Sequence, residues 1–393
     1  MKGMIPKFRH HYFLSLVPLT VVTTRHYELS LHSRDGSCRN FANSTRDVSN
    51  EEDIIIVDKF SGLRDDYQTP KYPIVLCHGF SGFDRLFIVP PIRRFLHNFN
   101  ISLNQSFGKT AESVGKELAE ENGGFYFNYW HGIKEALDAK GCTVLVARVP
   151  PFGSIEERAN ALNKFIETKI IKLRQDTKDD ANLIYHEEGK DSGTDKNPKD
   201  EPIKVNLIAH SMGGLDARYL ISKIEQKNYK VMSLTTISSP HHGSGMADYI
   251  INNFKLSDKE VKQGPLQKII PRSIFELTTD YVNNHFNKEV PDDSNVKYFS
   301  YGSRFVPSFY NVFYFSWKII YETQGDNDGM VGVESSKWGK YLGTLENVDH
   351  LDLINWTNTI RKYYSEAILG EKPKFNAVAL YLDIIDNLAK EGL

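Results

Sequence analysis

The stretch that most restricts this chain is Val205-Asn-Leu-Ile-Ala-His-Ser-Met-Gly-Gly-Leu-Asp-Ala-Arg-Tyr-Leu. An apolar strand pattern runs straight into Ser211. Leu215, Tyr219, Leu220 and Ile224 then recur at helical spacing. A serine on a tight turn between strand and helix presents its hydroxyl outward, beside the free N–H groups of the helix start. Close backbone contacts at such a turn demand small side chains two positions before and after the serine. Ala209 and Gly213 meet that demand, with Gly214 adding room. Ala209 stands where glycine is usual and adds one methyl group. The segment predicts a nucleophilic serine at the carboxyl edge of a sheet.

The surrounding pattern predicts that sheet. Short β-branched runs at Ile54–Val57, Tyr72–Cys77, Cys142–Arg148, Lys204–Ala209, Val231–Ser238 and Val296–Tyr301 alternate with helix-length segments. One of these is Glu156–Lys172, with Ala159, Leu162, Phe165, Ile166 and Ile170 on one face. Buried strands alternating with helices imply an α/β fold, a mostly parallel sheet covered on both faces. Two segments break the rhythm: Phe87–Phe127, and a charge-dense stretch about residues 174–201 that reads as a surface insertion. With 48 Lys+Arg against 50 Asp+Glu, the chain lacks the basic field that a nucleic-acid binder needs. Its 393 residues exceed the usual ~150 of one domain, yet large α/β enzymes remain single units. Cys38, Cys77 and Cys142 are three in number and widely spaced, which fits free thiols rather than disulfides or a zinc site.

A serine hydroxyl needs a base to take its proton, and the order Ser…Asp…His places the partners downstream. Two C-terminal stretches supply them: Gly325-Asp-Asn-Asp-Gly-Met-Val-Gly, and Asn347-Val-Asp-His-Leu-Asp. His350 is the candidate base and Asp328 the candidate acid, with Asp326 and Asp349 as competitors. Asp349 adjoins His350 in sequence and is poorly placed to hold that ring. Tyr72-Pro-Ile-Val-Leu-Cys-His-Gly-Phe-Ser-Gly-Phe-Asp ends a strand at a flexible turn. That turn suits an oxyanion hole, with the N–H groups of Phe80 and Met212 as the expected donors. His78 precedes the serine and is expected to order its loop. His241 and His242, in Ser238-Ser-Pro-His-His-Gly-Ser, are expected to do the same.

Taken together, these motifs resemble the true lipases of the α/β-hydrolase superfamily, the bacterial triacylglycerol lipases and their fungal mitochondrial relatives. The matching stretches are Tyr72–Asp84, Phe127–Val149, Lys204–Tyr219, Thr235–Gly245 and Gly325–Asn355. The resemblance implies an α/β-hydrolase fold over residues 51–393, with a helical lid or cap about 246–290. It puts Ser211, Asp328 and His350 on the family's nucleophile, acid and base, and Phe80 and Met212 on its oxyanion donors. It also implies where this chain departs. The bacterial calcium site falls on Asp352, but Trp356 replaces a helping Gln and no Asp lies between Lys297 and Tyr321. No calcium and no other cofactor is expected, and the bacterial disulfide is missing.

The activity so implied is lipase action on acylglycerol esters, triacylglycerol first, at a membrane or droplet interface. A phospholipase or lipid acyltransferase using the same residues is the alternative, and a non-catalytic lipid-binding protein of this fold the second. Residues Val296–Tyr321 carry eleven aromatic side chains, which suits peripheral contact with a membrane or an acyl-chain wall, though plain core packing is the favoured reading for most of them. Residues 1–50 read as a targeting or disordered segment. The first 46 hold seven Lys or Arg and only Glu28 and Asp35 as acids, the composition of a mitochondrial presequence. Phe13–Val22 is too short to span a bilayer, which takes about 20 apolar residues. It could instead be a secretory core, with Asn43, Asn100 and Asn104 as glycosylation acceptors.

Overall fold

Seven strands form one parallel sheet in a computed structural model of the chain. The structure describes residues 54–80, 85–87, 126–179, 201–253, 271–309, 311–356 and 375–393. The expectations for residues 1–50, for most of Phe87–Phe127, for 180–200 and for the middle of the lid segment lie outside the described residues. In chain order the strands are β1 (Ile55–Ile56), β2 (Ile74–Cys77), β3 (Arg85–Phe87), β4 (Tyr126–Asn128), β5 (Val144–Val146), β6 (Ile203–His210), β7 (Tyr229–Ile237), β8 (Lys297–Arg304) and β9 (Lys340–Glu346). The large sheet runs β1-β9-β8-β7-β6-β2-β5, while β3 and β4 pair separately as an antiparallel hairpin.

The longer helices are α1 (Ile133–Ala139), α2 (Ile155–Asp179), α3 (Gly213–Lys223), α4 (Gly245–Asn253), α5 (Arg272–Glu276), α6 (Tyr314–Gln324), α7 (Val333–Ser336) and α8 (Ala377–Lys390). Alternation along the strands assigns each side chain to a layer. Val75 and Cys77 of β2 join Val205, Leu207 and Ala209 of β6 in the layer under α2 and α3. Ile74, Leu76 and Ile208 point the other way, into the layer with Ile133 and Leu137 of α1 and Leu380 and Ile384 of α8. Both faces of the sheet are therefore covered, as near-continuous apolar strands require.

From β2 the chain crosses to β5 on one side and later to β6 on the other, so β2 and β6 adjoin at a topological switch point. A crevice opens there beyond the carboxyl ends of the strands. β2 delivers His78-Gly79-Phe80 to it, and β6 delivers Ser211.

The structure departs from the sequence expectation at β9, which interrupts its apolar residues with Gly343 and Thr344 and carries no run of β-branched residues. The hairpin β3–β4 and helix α8 were likewise not anticipated. α2 continues to Asp179, past the point about residue 174 where the charged insertion was placed. Ile208 is fully buried in the central strand. Ile208→Ala should cost about 2–5 kcal/mol, read as a lower urea midpoint with an unchanged slope of unfolding free energy against urea.

Candidate active site

Ser211 has φ 56, a left-handed conformation that side chains other than glycine adopt only when the surroundings impose it. Four contacts do so. The Ser211 N–H donates to Ile237 O (3.0 Å), closing the strand β6 side, and Gly214 N–H donates to Ser211 O (3.1 Å), opening helix α3. A Cβ on Gly213 would stand 2.7 Å from Cys77 O and 2.8 Å from His78 O, so the helix start lies hard against the end of β2. A Cβ on Gly79 would stand 2.6 Å from Ser211 Cβ. The loop after β2 and the serine thus meet with room for hydrogen atoms alone.

The loop after β2 is fixed by Arg158, a wholly buried side chain of α2. Its Nη2 donates to His78 O (2.9 Å) and Gly79 O (3.2 Å), and its Nη1 to Pro150 O (2.9 Å). Its Nε donates to Asp216 Oδ2 (2.9 Å) on α3. Burial raises the Asp216 carboxyl above its ordinary value, against the pull of Arg158. The planar trans peptide that joins Gly79 to Phe80 carries its C=O and N–H on opposite sides. With the Gly79 carbonyl held on Arg158, the Phe80 N–H points away from the guanidinium. Neither the Phe80 N–H nor the Met212 N–H donates to a protein acceptor among the described residues.

His78 orders the same loop. Val149 N–H donates to its Nε2 (3.2 Å), which leaves the proton on Nδ1 to donate to Gly79 O (3.0 Å). Burial, then the Arg158 charge, push its pKa down to about 3. Gly79 N–H donates to Tyr129 Oη (3.0 Å), and Tyr129 O–H in turn donates to His210 Nδ1 (2.7 Å). His210 is buried beside Ser211 in sequence and is held well below its ordinary pKa, by burial first and then by His350. Its ring packs on that of His350 at 4.4 Å between centroids.

His350 Nδ1–H donates to Asp328 Oδ2 (2.7 Å), which leaves Nε2 as the acceptor. Asp328 is fully buried, and its other oxygen accepts from Met330 N–H (2.9 Å) and Val331 N–H (2.8 Å). Ser303 O–H adds a donor to Oδ2 (3.3 Å), itself backed by Ser238 Oγ (2.9 Å). A buried carboxylate with four donors is fixed in place. The competitors are engaged elsewhere. Asp326 pairs with Arg304 at the surface, and Asp349 accepts the N–H groups of Leu351 (3.0 Å) and Asp352 (2.9 Å). Asp352 Oδ2 accepts the Asp349 N–H (3.2 Å).

The structure joins Asp328 to His350 directly and packs the His350 ring on that of His210, the residue before Ser211 in sequence. No hydrogen bond joins the Ser211 hydroxyl to His350 among the described residues, a bond that in many hydrolases tightens only with substrate. His241 is buried behind the site, bonded to Thr236 Oγ1 (3.0 Å) and stacked on Trp338, and His242 meets Asn283 Oδ1 (3.0 Å). Sequence reasoning missed Arg158, Tyr129 and Ser303. Only Arg158 left a signal, as a charge on the apolar stripe Ile155, Ala159, Leu162, Ile166.

Residues 152–295 match the model of the PGAP1-like alpha/beta domain. The chain is 42% identical over 355 residues to triacylglycerol lipase 2 of Saccharomyces cerevisiae, covering 87% of this chain and 98% of that protein. It is 25% identical over 370 residues to a triacylglycerol lipase of Pseudomonas fragi, covering 84% of this chain and all of that one. The solved Staphylococcus hyicus lipase aligns at 18% identity and a TM-score of 0.47, over 84% of this chain and 99% of that chain.

Two outcomes follow from this geometry. Tyr129→Phe frees the Gly79 N–H and should lower kcat about tenfold or more with KM nearly unchanged, because a positioning bond rather than a substrate contact is lost. Steady-state kinetics on a soluble ester checks it. His78, His210 and His241 are neutral when folded and titrate near 6.5 when unfolded. The unfolded state therefore binds more protons below pH about 6.5, and folding stability should fall as pH drops from there towards about 3. Each of the three histidines steepens that fall, because each binds a proton in the unfolded chain before it can in the folded one. Urea titrations at several pH values read the slope, and a His78→Gln variant should show a shallower one.

Proposed function

This chain belongs to the triacylglycerol lipase family, and we propose that its ester hydrolysis runs through an acyl-enzyme on Ser211 with His350 as base and Asp328 as its partner. The observation that supports this assignment is the 2.7 Å bond from His350 Nδ1 to a fully buried Asp328, on a ring packed at a tilt against that of His210, the residue preceding Ser211. In the first half-reaction the Ser211 oxygen bonds to the ester carbonyl carbon while its proton passes to His350 Nε2. The carbonyl electrons move to oxygen, where the Phe80 and Met212 N–H groups receive the charge. As the intermediate collapses, the bond to the alcohol oxygen breaks and His350 returns the proton to it. Water then repeats the sequence on the acyl-serine, releasing a fatty acid. Asp328 holds the ring in the tautomer that accepts at Nε2 and stabilises its charged form.

The substrate class is a lipid ester, and the family points to an acylglycerol. The reading of residues about 246–290 as a lid or cap is supported by the helical character of their described parts, α4, α5 and the helical turns between Thr279 and Glu289. No helix among the described residues is long and apolar enough to cross a membrane, so contact with lipid is through a surface of the protein. The arginine-rich, acid-poor composition of residues 1–46 supports delivery to mitochondria.

Ser211→Ala should lower kcat on emulsified triacylglycerol by about 10⁵-fold or more, and Asp328→Asn by about 10³–10⁴-fold, with both variants still folded by circular dichroism. Near-normal turnover by Ser211→Ala removes the assignment. Running the same assay against phospholipid decides the substrate: faster release from phospholipid than from triacylglycerol makes this chain a phospholipase.

A further inference from the structure

We propose that the exposed aromatic face between β8 and the Asp328 turn, together with Tyr249 of α4, docks the protein on the lipid–water interface that carries its substrate. Twelve large apolar side chains are exposed among the described residues; six of them lie between Val306 and Tyr321, and a seventh is Tyr249. Val306 is 81% exposed, Val312 73% and Phe315 53%, with Phe309 and Tyr321 beside them. Scattered apolar side chains are ordinary on a protein surface, but a cluster this dense marks a site of contact.

The face is joined to the turn that carries Asp328. Beneath it Phe305 and Phe313 are buried and meet edge to face at 6.4 Å. Phe305 N–H donates to Asn327 O (3.2 Å), next to Asp328. A Cβ on Gly329 would stand 2.7 Å from the Phe313 ring, so the residue after Asp328 rests directly on the anchor's base. Tyr249 meets Phe315 edge to face at 5.8 Å, which carries the face onto α4, the start of the lid segment. A surface seated on this face would lie at the threshold of the active site.

The chemistry of the occupant is also written in the chain. From Phe305 to Tyr321 there is no carboxylate and one cation, Lys318, already near Glu322. Tyrosine and tryptophan in the same stretch bridge apolar and wet layers. That combination fits the phospholipid monolayer of an acylglycerol droplet, bound by apolar insertion rather than by charge. The inference rests on the acylglycerol reading given above.

The test uses the full chain with Val306→Ser, Val312→Ser and Phe315→Ser combined. The unmodified protein should float with phosphatidylcholine-coated triolein droplets even in about 1 M NaCl, since screening removes charge but not apolar attraction. The triple variant should bind them about 100-fold more weakly, with emulsion hydrolysis falling in step, while kcat/KM on soluble p-nitrophenyl acetate stays within about twofold. That last measurement certifies the fold. A single Val312→Trp variant should gain fluorescence quenching from brominated phosphatidylcholine beyond that of the unmodified chain. Droplet binding and emulsion hydrolysis unchanged in the triple variant, or no added quenching, overturn the proposal. So does a shift from dimer to monomer with droplet binding intact, which makes the face a contact between two copies. Should the unmodified protein float with droplets yet hydrolyse only soluble esters, the acylglycerol reading fails while the docking face stands.

Discussion

One buried guanidinium ties the two halves of the active site together. Arg158 comes from α2, accepts the charge of Asp216 on the nucleophile helix, and donates to the carbonyls that end β2. A buried ion pair repays its desolvation only when geometry is good and the remaining donors are satisfied. Here the Arg158 Nε and both terminal nitrogens have acceptors, so breaking the pair would leave a buried charge without compensation. Its product is orientation. The Gly79 carbonyl cannot turn without losing Arg158, and the peptide N–H on its far side cannot turn either. Preorganised dipoles of this kind stabilise a developing oxyanion without rearranging at the moment of reaction.

Charge is distributed with equal economy around that frame. Asp328 has one charged role and four donors to hold it. The histidines nearest the site, His78 and His210, are kept neutral by burial. A second imidazolium 4.4 Å from His350 would oppose the positive charge that the proposed mechanism gives His350. A neutral ring there can pack without that penalty. Tyr129 uses the same ring as an acceptor, so one hydroxyl couples the oxyanion loop to the residue that precedes the serine.

Much of this was legible in the sequence, because local rules govern it. Ser211 is announced by the small residues around it and by a strand that becomes a helix, β2 by an uninterrupted apolar run, and β6 by Val205, Leu207, Ile208 and Ala209 around a single Asn206. The choice of Asp328 over Asp326 and Asp349 came with the resemblance and with Asp349's adjacency to the histidine, and it agrees with the bonds observed. What stayed hidden depends on contacts between residues far apart in the chain. Tyr129 and Ser303 sit in no periodic pattern, and their partners lie 81 and 25 residues away. Strand β9 escaped notice because a glycine and polar side chains dilute its apolar alternation. The aromatic run from Val296 to Tyr321 divides at Arg304. Before it, the side chains of β8 turn mostly into the core; beyond it, they split between core and surface. Composition alone carries no mark of that division.

The left-handed serine has an evolutionary corollary. A glycine would occupy that backbone at lower cost, so stability by itself never favours the hydroxyl at position 211. Only chemistry keeps it there. In a lineage that drifted away from ester cleavage, the turn would be among the first places to relax. Among descendants of this fold, the identity of that one residue therefore records whether selection for reactivity is still in force.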